Sequence, residues 1–145
     1  MKKVFICTSF STKIDSNGQV LSEHRSIIEP ILQAIQESGF KYFCAIEDEG
    51  WRITKKDPTT EFKHDLDKIA DSDIMLALLE DTVSAGVQIE IGYMLGEVIS
   101  NPHKRLVLAH PKGAVLAWSN NTISKLPGVS SVQYSQPEDI IKMLV

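Results

Sequence analysis

Apolar and amphipathic stretches alternate along this chain. Five runs of five or six residues are rich in apolar side chains, and the third, 74–79, is apolar throughout, as in a strand buried on both faces of a parallel sheet. The other four runs are 4–8, 41–46, 105–109 and 129–134. Between the runs, apolar residues recur at intervals of three and four, which predicts helices. The predicted order is therefore a strand followed by a helix, five times over.

Prolines and capping residues indicate where these helices begin or are disturbed. Pro30 falls inside the first helix and should kink or interrupt it, because proline lacks the amide N–H and crowds the preceding turn. Thr59 or Thr60 is the expected N-cap of the helix before the central strand. Ser135 and Glu138 have the spacing of a capping box for the last helix.

Alternating strands and helices predict an α/β fold, a doubly wound parallel sheet with right-handed crossovers. The 145 residues are enough for one compact domain, 1–145, and too few for two of ordinary size. The composition, with 43% hydrophobic and 23% charged residues, is that of a soluble globular protein. No apolar run approaches the ~20 residues that a transmembrane helix needs, so no membrane association is expected.

The charge and the cysteine content limit which ligands and which cellular compartment are expected. The net charge of −4 and the pI near 5.5 provide no overall cationic field for duplex nucleic acid, although a small anionic ligand needs only a local site. Cys7 and Cys44 both fall in predicted strands, and free buried thiols are favoured over a disulfide, which indicates a cytoplasmic protein. The histidines and cysteines never cluster at ligand spacing, so neither a metal nor another cofactor is expected.

The central strand and the helix after it contain the strongest candidate for chemistry. One apolar stripe of that helix consists of Val87, Ile91, Met94, Leu95 and Val98. Glu90 falls at the edge of the stripe, between core and water. The nearby helix N-terminus favours the ionised form of Glu90 whereas partial burial raises its pKa, and the sequence leaves the balance open. A capping or solvated glutamate is the competing interpretation.

The segment 84–96, SAGVQIEIGYMLG, with DIML ahead of it, resembles the signature of the nucleoside 2-deoxyribosyltransferase family. That family has relatives of the same fold that are 2'-deoxynucleoside 5'-phosphate N-hydrolases and nucleotide N-glycosidases. The resemblance implies that Glu90 is the nucleophile and that Asp73 is the acid on the base side. It also implies that Ser84 and Gly86 belong to the sugar or phosphate pocket, where helix N-terminal amides favour an anion.

The residue six positions before the nucleophile separates two branches of that family. An aspartate accompanies free nucleosides as substrates, and a serine accompanies nucleotides. Ser84 stands at this position relative to Glu90, which implies the nucleotide branch. We therefore expect an N-glycosidase that cleaves the base–sugar bond of a (2'-deoxy)nucleoside 5'-monophosphate. A deoxyribosyltransferase, a nucleotide-binding module without turnover and a flavin-binding protein are the alternatives.

Further residues of the same region compete for supporting roles. Asp71, two residues before Asp73, and Asp81, at the far end of the central strand, are alternative acids. Tyr93 lies about one helical turn from Glu90 and is a candidate to orient the nucleophile through its hydroxyl.

The resemblance implies a flavodoxin-like sheet with strand order 2-1-3-4-5, whose switch point lies between strands one and three. Ser9, Ser11 and Lys13 follow the first strand and would border that crevice as sugar or phosphate ligands, with a solvated loop as the alternative. Trp51, in the loop after strand two, is a candidate for stacking on the base, against the simpler interpretation that it covers the core.

The second face of the central helix predicts self-association. Four residues lie on it: Ile89, Gly92, Gly96 and Ile99. A helix that only covers a sheet shows water a polar face, so a homodimer or a larger even assembly packed here is favoured over a neighbouring helix of the same chain. In relatives the region after the fourth strand reaches the neighbouring subunit's site, which implies Ser119 and Asn120 as contacts in trans.

Overall fold

The computed structural model describes residues 1–53, 57–80 and 83–145. Within these residues, five parallel strands form one sheet: β1 Lys3–Thr8, β2 Lys41–Cys44, β3 Ile74–Leu78, β4 Arg105–Pro111 and β5 Val129–Tyr134. Their order is β2-β1-β3-β4-β5. The predicted parallel sheet of five strands and its order 2-1-3-4-5 are confirmed.

Helices cover both faces of this sheet. Those in the described residues are α1 Ser22–Glu37, α2 Ala45–Asp48, α3 Pro58–Ala70, α4 Ala85–Ser100, α5 Trp118–Ile123 and α6 Pro137–Leu144. Helices α1 and α6 pack on one face, where Ile31, Ile35 and Leu144 are buried, while α3 and α4 pack on the other around Ile69 and Met94. None of these helices is long and apolar enough to cross a membrane.

β3 occupies the centre of the sheet and all five of its residues are buried. It pairs with β1 on one side and with β4 on the other, which explains its unbroken apolar sequence. Thr8 lies opposite Leu78 in the β1–β3 register, so the two strands end at the same level. The segments that follow them therefore lie side by side at the carboxyl edge of the sheet, where the strand order reverses.

The start of α3 differs from the prediction. Asp57, rather than Thr59 or Thr60, is its N-cap. The backbone N–H of Thr60 donates to the Asp57 carboxylate at 2.9 Å. Pro58 occupies the first helical position, where a missing N–H costs nothing, so the cap is the residue before it.

The last helix follows the same rule. Its capping box joins Gln136 and Asp139, one residue beyond the predicted pair of Ser135 and Glu138. Pro137 is again the first helical residue, which moves the cap to the residue that precedes it. At both helix starts, proline at the first helical position makes the residue before it the N-cap.

α1 continues through Pro30 as one helix, so Pro30 does not interrupt it. Pro30 and Ser26, whose carbonyl would have accepted the missing hydrogen bond, are both exposed, so water can replace the lost partner. β2 ends at Cys44 instead of reaching residue 46, because the short helix α2 begins at Ala45.

Candidate active site

Glu90 lies in the second turn of α4, partly buried, with its side chain against β1. The Cys7 thiol donates a hydrogen bond to Glu90 Oε2, with 2.9 Å between sulfur and oxygen. Burial raises the pKa of Glu90 above its ordinary value, and the hydrogen bond from Cys7 acts in the opposite direction. Burial of the Glu90 carboxyl therefore outweighs the hydrogen bond from Cys7 in setting the direction of this pKa shift.

A second carboxyl group, that of Asp65 in α3, lines the same cavity as Glu90. Burial, and after it the negative charge of Glu90, raises the pKa of Asp65 to about 7. The sequence prediction missed this residue. Its signal is its place on the apolar face of α3, three residues after Phe62 and four before Ile69, where an acidic side chain is unexpected.

The two carboxyls face a cavity of about 380 Å³ at the carboxyl edge of the sheet. It is bounded by the segment after β1, by α3 and by the start of α4. Its lining residues are Thr8, Phe10, Ser11, Phe62, Asp65, Ser84, Ala85, Gly86, Val87 and Glu90. The structure thus brings together four of the predicted site residues: Ser11, Ser84, Gly86 and Glu90.

A second hollow of about 220 Å³ adjoins this cavity. It is lined by Phe10, Glu49, Ile53, Pro58, Glu61, Phe62 and Asp65. Phe10, Phe62 and Asp65 line both spaces and so mark their junction. The pair of spaces suits a ligand with a polar part beside Glu90 and a flat apolar part beside the two phenyl rings.

The N-terminus of α4 forms one wall of the cavity. Ser84 is its N-cap, and the Ser84 hydroxyl accepts from the backbone N–H of Val87 at 3.3 Å. The backbone N–H of Ser84 donates to Ser9 Oγ at 3.0 Å. Ser9 is buried and does not line the cavity, so it holds the turn in place rather than facing a ligand.

Two of the predicted acids, Asp73 and Asp71, lie away from this site. The backbone N–H of Lys3 donates to the Asp73 carboxylate at 2.8 Å, and Lys3 Nζ lies 2.8 Å from Asp71 Oδ2. Lys3 opens β1, so both aspartates lie at the amino edge of the sheet, opposite the edge where Glu90 lies. Asp73 therefore does not line the cavity that holds Glu90, and Asp81 lies outside the described residues.

Lys13 and Trp51 also have other partners. Lys13 Nζ lies 3.1 Å from Glu80 Oε2, and Lys13 is not among the residues that line the cavity. Trp51 is buried in the core on the α1 side of the sheet, where the Arg25 guanidinium lies 4.9 Å from the centre of its ring. The simpler interpretation of Trp51, that it covers the core, is the one that the structure supports.

Tyr93, Ser119 and Asn120 do not line the cavity either. Tyr93 is 39% exposed on the outer side of α4, so the structure does not show it orienting Glu90. Ser119 is exposed and Asn120 is buried within α5. Their suggested contacts with a neighbouring subunit stay a prediction.

Cys7 and Cys44 are both buried and free, as predicted. In the part of the chain that the structure describes, no group of three or more histidine, cysteine, aspartate or glutamate side chains is placed to hold a metal ion. The cavity presents carboxyls, hydroxyls and backbone amides. These groups suit nucleophilic attack and proton transfer.

Fold and cavity together define a flavodoxin-like α/β protein with two carboxyls at the switch point of its sheet. No family model matches the sequence, and no curated protein matches it either. Solved structures do match, over nearly the whole chain.

The fold is similar to that of the CMP N-glycosidase BcmB of Clostridium botulinum, with 20% sequence identity and a TM-score of 0.68 over 99% of this chain and 98% of that one. It is also similar to a 2-deoxyribosyltransferase of Bacillus psychrosaccharolyticus, with 18% identity and a TM-score of 0.67 over 95% and 89% of the two chains. BlsM matches at 18% identity with a TM-score of 0.72 over 94% of this chain and 83% of its own. At such identities the likeness establishes the fold, and it agrees with the family resemblance seen in the sequence.

Proposed function

We propose that the protein is an N-glycosidase that cleaves the base–sugar bond of a (2'-deoxy)nucleoside 5'-monophosphate. The observation that carries the proposal is the pair of carboxyls in one cavity. Glu90 lies against β1, and Asp65 lies at the junction with the second hollow, called the aromatic hollow below because Phe10 and Phe62 line it. The similarity to a CMP N-glycosidase supports the same conclusion.

Glu90 is the proposed nucleophile. Cleavage of an N-glycosidic bond passes through an oxocarbenium-like state, and a carboxylate ~3 Å from C1' stabilises that charge or traps it. In the covalent route one Glu90 oxygen bonds to C1' while the C1'–N bond breaks and its electron pair leaves with the base. Water then attacks C1', which releases the sugar phosphate and restores the carboxylate.

Asp65 is the proposed acid. A base leaves far more easily once it is protonated, and an acid with a pKa near the working pH is the most effective donor. The charge of Glu90 contributes to raising the pKa of Asp65 to about 7, so Glu90 is the group that ionises first. One carboxyl is then a charged nucleophile while the other still carries a proton.

The aromatic hollow is the proposed base site. Phe10 and Phe62 offer ring surfaces to a nucleobase, and Asp65 lies where the bond to the sugar would cross from one space to the other. Glu49 and Glu61 also line this hollow. Carboxylates accept hydrogen bonds, so a base with an exocyclic amino group (cytosine, adenine or guanine) is favoured over uracil.

The N-terminus of α4 is the proposed phosphate site. Its first-turn amides and the helix dipole favour an anion, and Ser11, Ser84 and Gly86 line this side of the cavity. The Ser84 hydroxyl accepts from a backbone N–H, so its own proton is left to donate to a phosphate oxygen.

Base exchange is the second candidate activity, because the fold is equally similar to that of a 2-deoxyribosyltransferase. The two reactions share every step up to the glycosyl–enzyme and differ in whether water or a second base attacks it. Incubation with each ribo- and deoxyribonucleoside monophosphate, with and without a second free base, separates them. Release of base from at least one nucleotide supports catalysis. If the protein binds nucleotides but releases no free base from any of them, it is a nucleotide-binding module without turnover.

We also propose a homodimer, or a larger even assembly, through the outer face of α4. Ile99 is 73% exposed and Ile89 is 57% exposed, so no described part of the same chain covers this face. Gly92 and Gly96 are exposed between them, and a Cβ added at either would meet nothing within 4 Å. Two copies packed here about a two-fold axis would bury this apolar strip.

A further inference from the structure

Cys7 is the neighbour of Glu90 for which the proposed chemistry has no role. It is the penultimate residue of β1, and its side chain turns towards α4. Cys7 is 1% exposed and shares a buried cluster with Phe5, Ala77 and Val87. Its sulfur lies 2.9 Å from Glu90 Oε2, and among the described residues no other hydrogen-bond donor to that carboxylate is seen.

We propose that Cys7 is a positioning residue for the nucleophile: its thiol holds Oε2 of Glu90 and so leaves Oε1 as the oxygen that attacks C1'. The inference rests on the proposed function of Glu90. It goes beyond that function because it assigns the two carboxylate oxygens to different tasks and names Cys7 as the group that makes the two oxygens inequivalent.

A thiol suits this task better than a stronger donor would. The S–H group is a weak donor, so it fixes the direction of the carboxylate with little stabilisation of its charge. A stronger donor would lower the pKa of Glu90 further and make its oxygen less nucleophilic. Apolar neighbours of Cys7 keep water away from Oε2, which would otherwise compete for the same oxygen.

The thiol keeps its proton while it acts. Burial, followed by the adjacent Glu90 charge, raises the pKa of Cys7 well above its ordinary value. Cys7 is therefore a permanent donor at neutral pH and does not compete with Glu90 as a nucleophile.

Kinetics of three variants test the positioning role. Cys7→Ala removes the donor, so kcat should fall roughly 10-fold with KM changed less than about twofold, and the acidic limb of the pH profile should move to higher pH. Cys7→Ser retains a donor and should keep kcat within about threefold, with the acidic limb at or below that of the wild type. Cys44→Ala removes a thiol that is equally buried but lies on the other face of the sheet. This control should change neither kcat nor the acidic limb of the pH profile. A wild-type kcat and acidic limb in Cys7→Ala would overturn the inference.

An infrared measurement tests the contact without any substrate. The chain has two cysteines, so the S–H stretch of the Cys44→Ala protein comes from Cys7 alone. We expect this band at the lower frequency of a hydrogen-bonded thiol, and a shift to higher frequency when Glu90→Ala is added. A band that does not shift overturns the inference whatever the enzyme activity. A shifted band in a protein that releases no base contradicts the proposed function and upholds the contact.

Discussion

Replacing Asp65 with asparagine is the most informative single change in the cavity. Asparagine has the shape of aspartate and can still hydrogen-bond, but it carries no charge. The pKa of Asp65 is raised to about 7 in the folded protein, against ~3.9 for an aspartate in an unfolded chain. Folding therefore favours the protonated form, and the ionised form destabilises the native state. The penalty is absent at low pH, grows as pH rises from about 4, and is complete above about 7.

The size of this penalty follows from the same comparison. A gap of ~3 pH units corresponds to ~4 kcal/mol for a group sealed from water. Asp65 is only partly buried, and its cavity is open to solvent, which screens the charge. We therefore expect Asp65→Asn to stabilise the fold by ~1 to 2 kcal/mol at pH 8, and to make no difference near pH 4.

Urea unfolding of both proteins at pH 4, 6 and 8 measures the effect. Asp67→Asn is the matched control, because Asp67 lies in the same helix on its exposed side and forms an ion pair with Lys63, at 3.4 Å. That control should change the free energy of unfolding by less than ~0.5 kcal/mol at each pH. A stability of Asp65→Asn that equals the wild type at pH 8 would refute the argument from burial.

The same variant tests the catalytic role. Base release should fall by ~10² to 10⁴-fold, and the alkaline limb of kcat/KM, expected to begin near pH 7 in the wild type, should disappear. The base of a 7-methylguanine nucleotide leaves as a neutral molecule without an added proton. On this substrate the rate of base release by Asp65→Asn should therefore fall less than about 10-fold. An equal loss on both substrates would show that Asp65 is not the acid.

Three other results are expected. Monophosphates should be preferred over nucleosides by ~10-fold or more in kcat/KM. Ser84→Asp should reverse that preference, because it places a like charge at the phosphate site. Equal kcat/KM for nucleoside and nucleotide would refute the proposed phosphate site. Sedimentation at micromolar concentration should show a dimer or a larger even assembly. Gly96→Arg should dissociate this assembly and reduce activity, whereas the control Gln33→Arg, on the exposed side of α1, should do neither. A wild-type protein that sediments as a monomer would contradict the α4 interface. Cytidine or adenosine monophosphates should outperform the uridine ones, a preference measured as base released and refuted by an equal rate on uridylate.

The fold could be predicted from local patterns because each strand and helix carries its own period. β3 shows this most clearly, since a strand with neighbours on both sides and helices on both faces must be apolar at every position. The same patterns place Glu90 at the edge of the α4 stripe, whereas its role as nucleophile comes from the family resemblance of the segment 84–96. The helix starts at Asp57 and Gln136 were missed by one to three residues because the following proline determines the cap.

Local pattern marks Asp65 as an unexpected acid on the apolar face of α3, but it does not show that Asp65 lies near Glu90. Asp65 comes close to it only because α3 and α4 pack side by side on one face of the sheet. Strand direction, in contrast, could have excluded Asp73, because a residue that precedes a parallel strand lies at the edge opposite the ligand site. The partners of Lys13 and Trp51 in the structure, Glu80 and Arg25, are distant in the sequence, so local pattern could not reveal them.

The central claim is that Glu90 attacks the sugar. It is tested most directly by the rate of base release from the best nucleotide substrate, compared between the wild type and Glu90→Ala. Glu97→Ala on the same helix, which loses an ion pair with Lys104, serves as the control for a lost carboxylate. We predict a loss of ~10³-fold or more for Glu90→Ala and less than about threefold for Glu97→Ala. Unchanged base release in Glu90→Ala would contradict the mechanism.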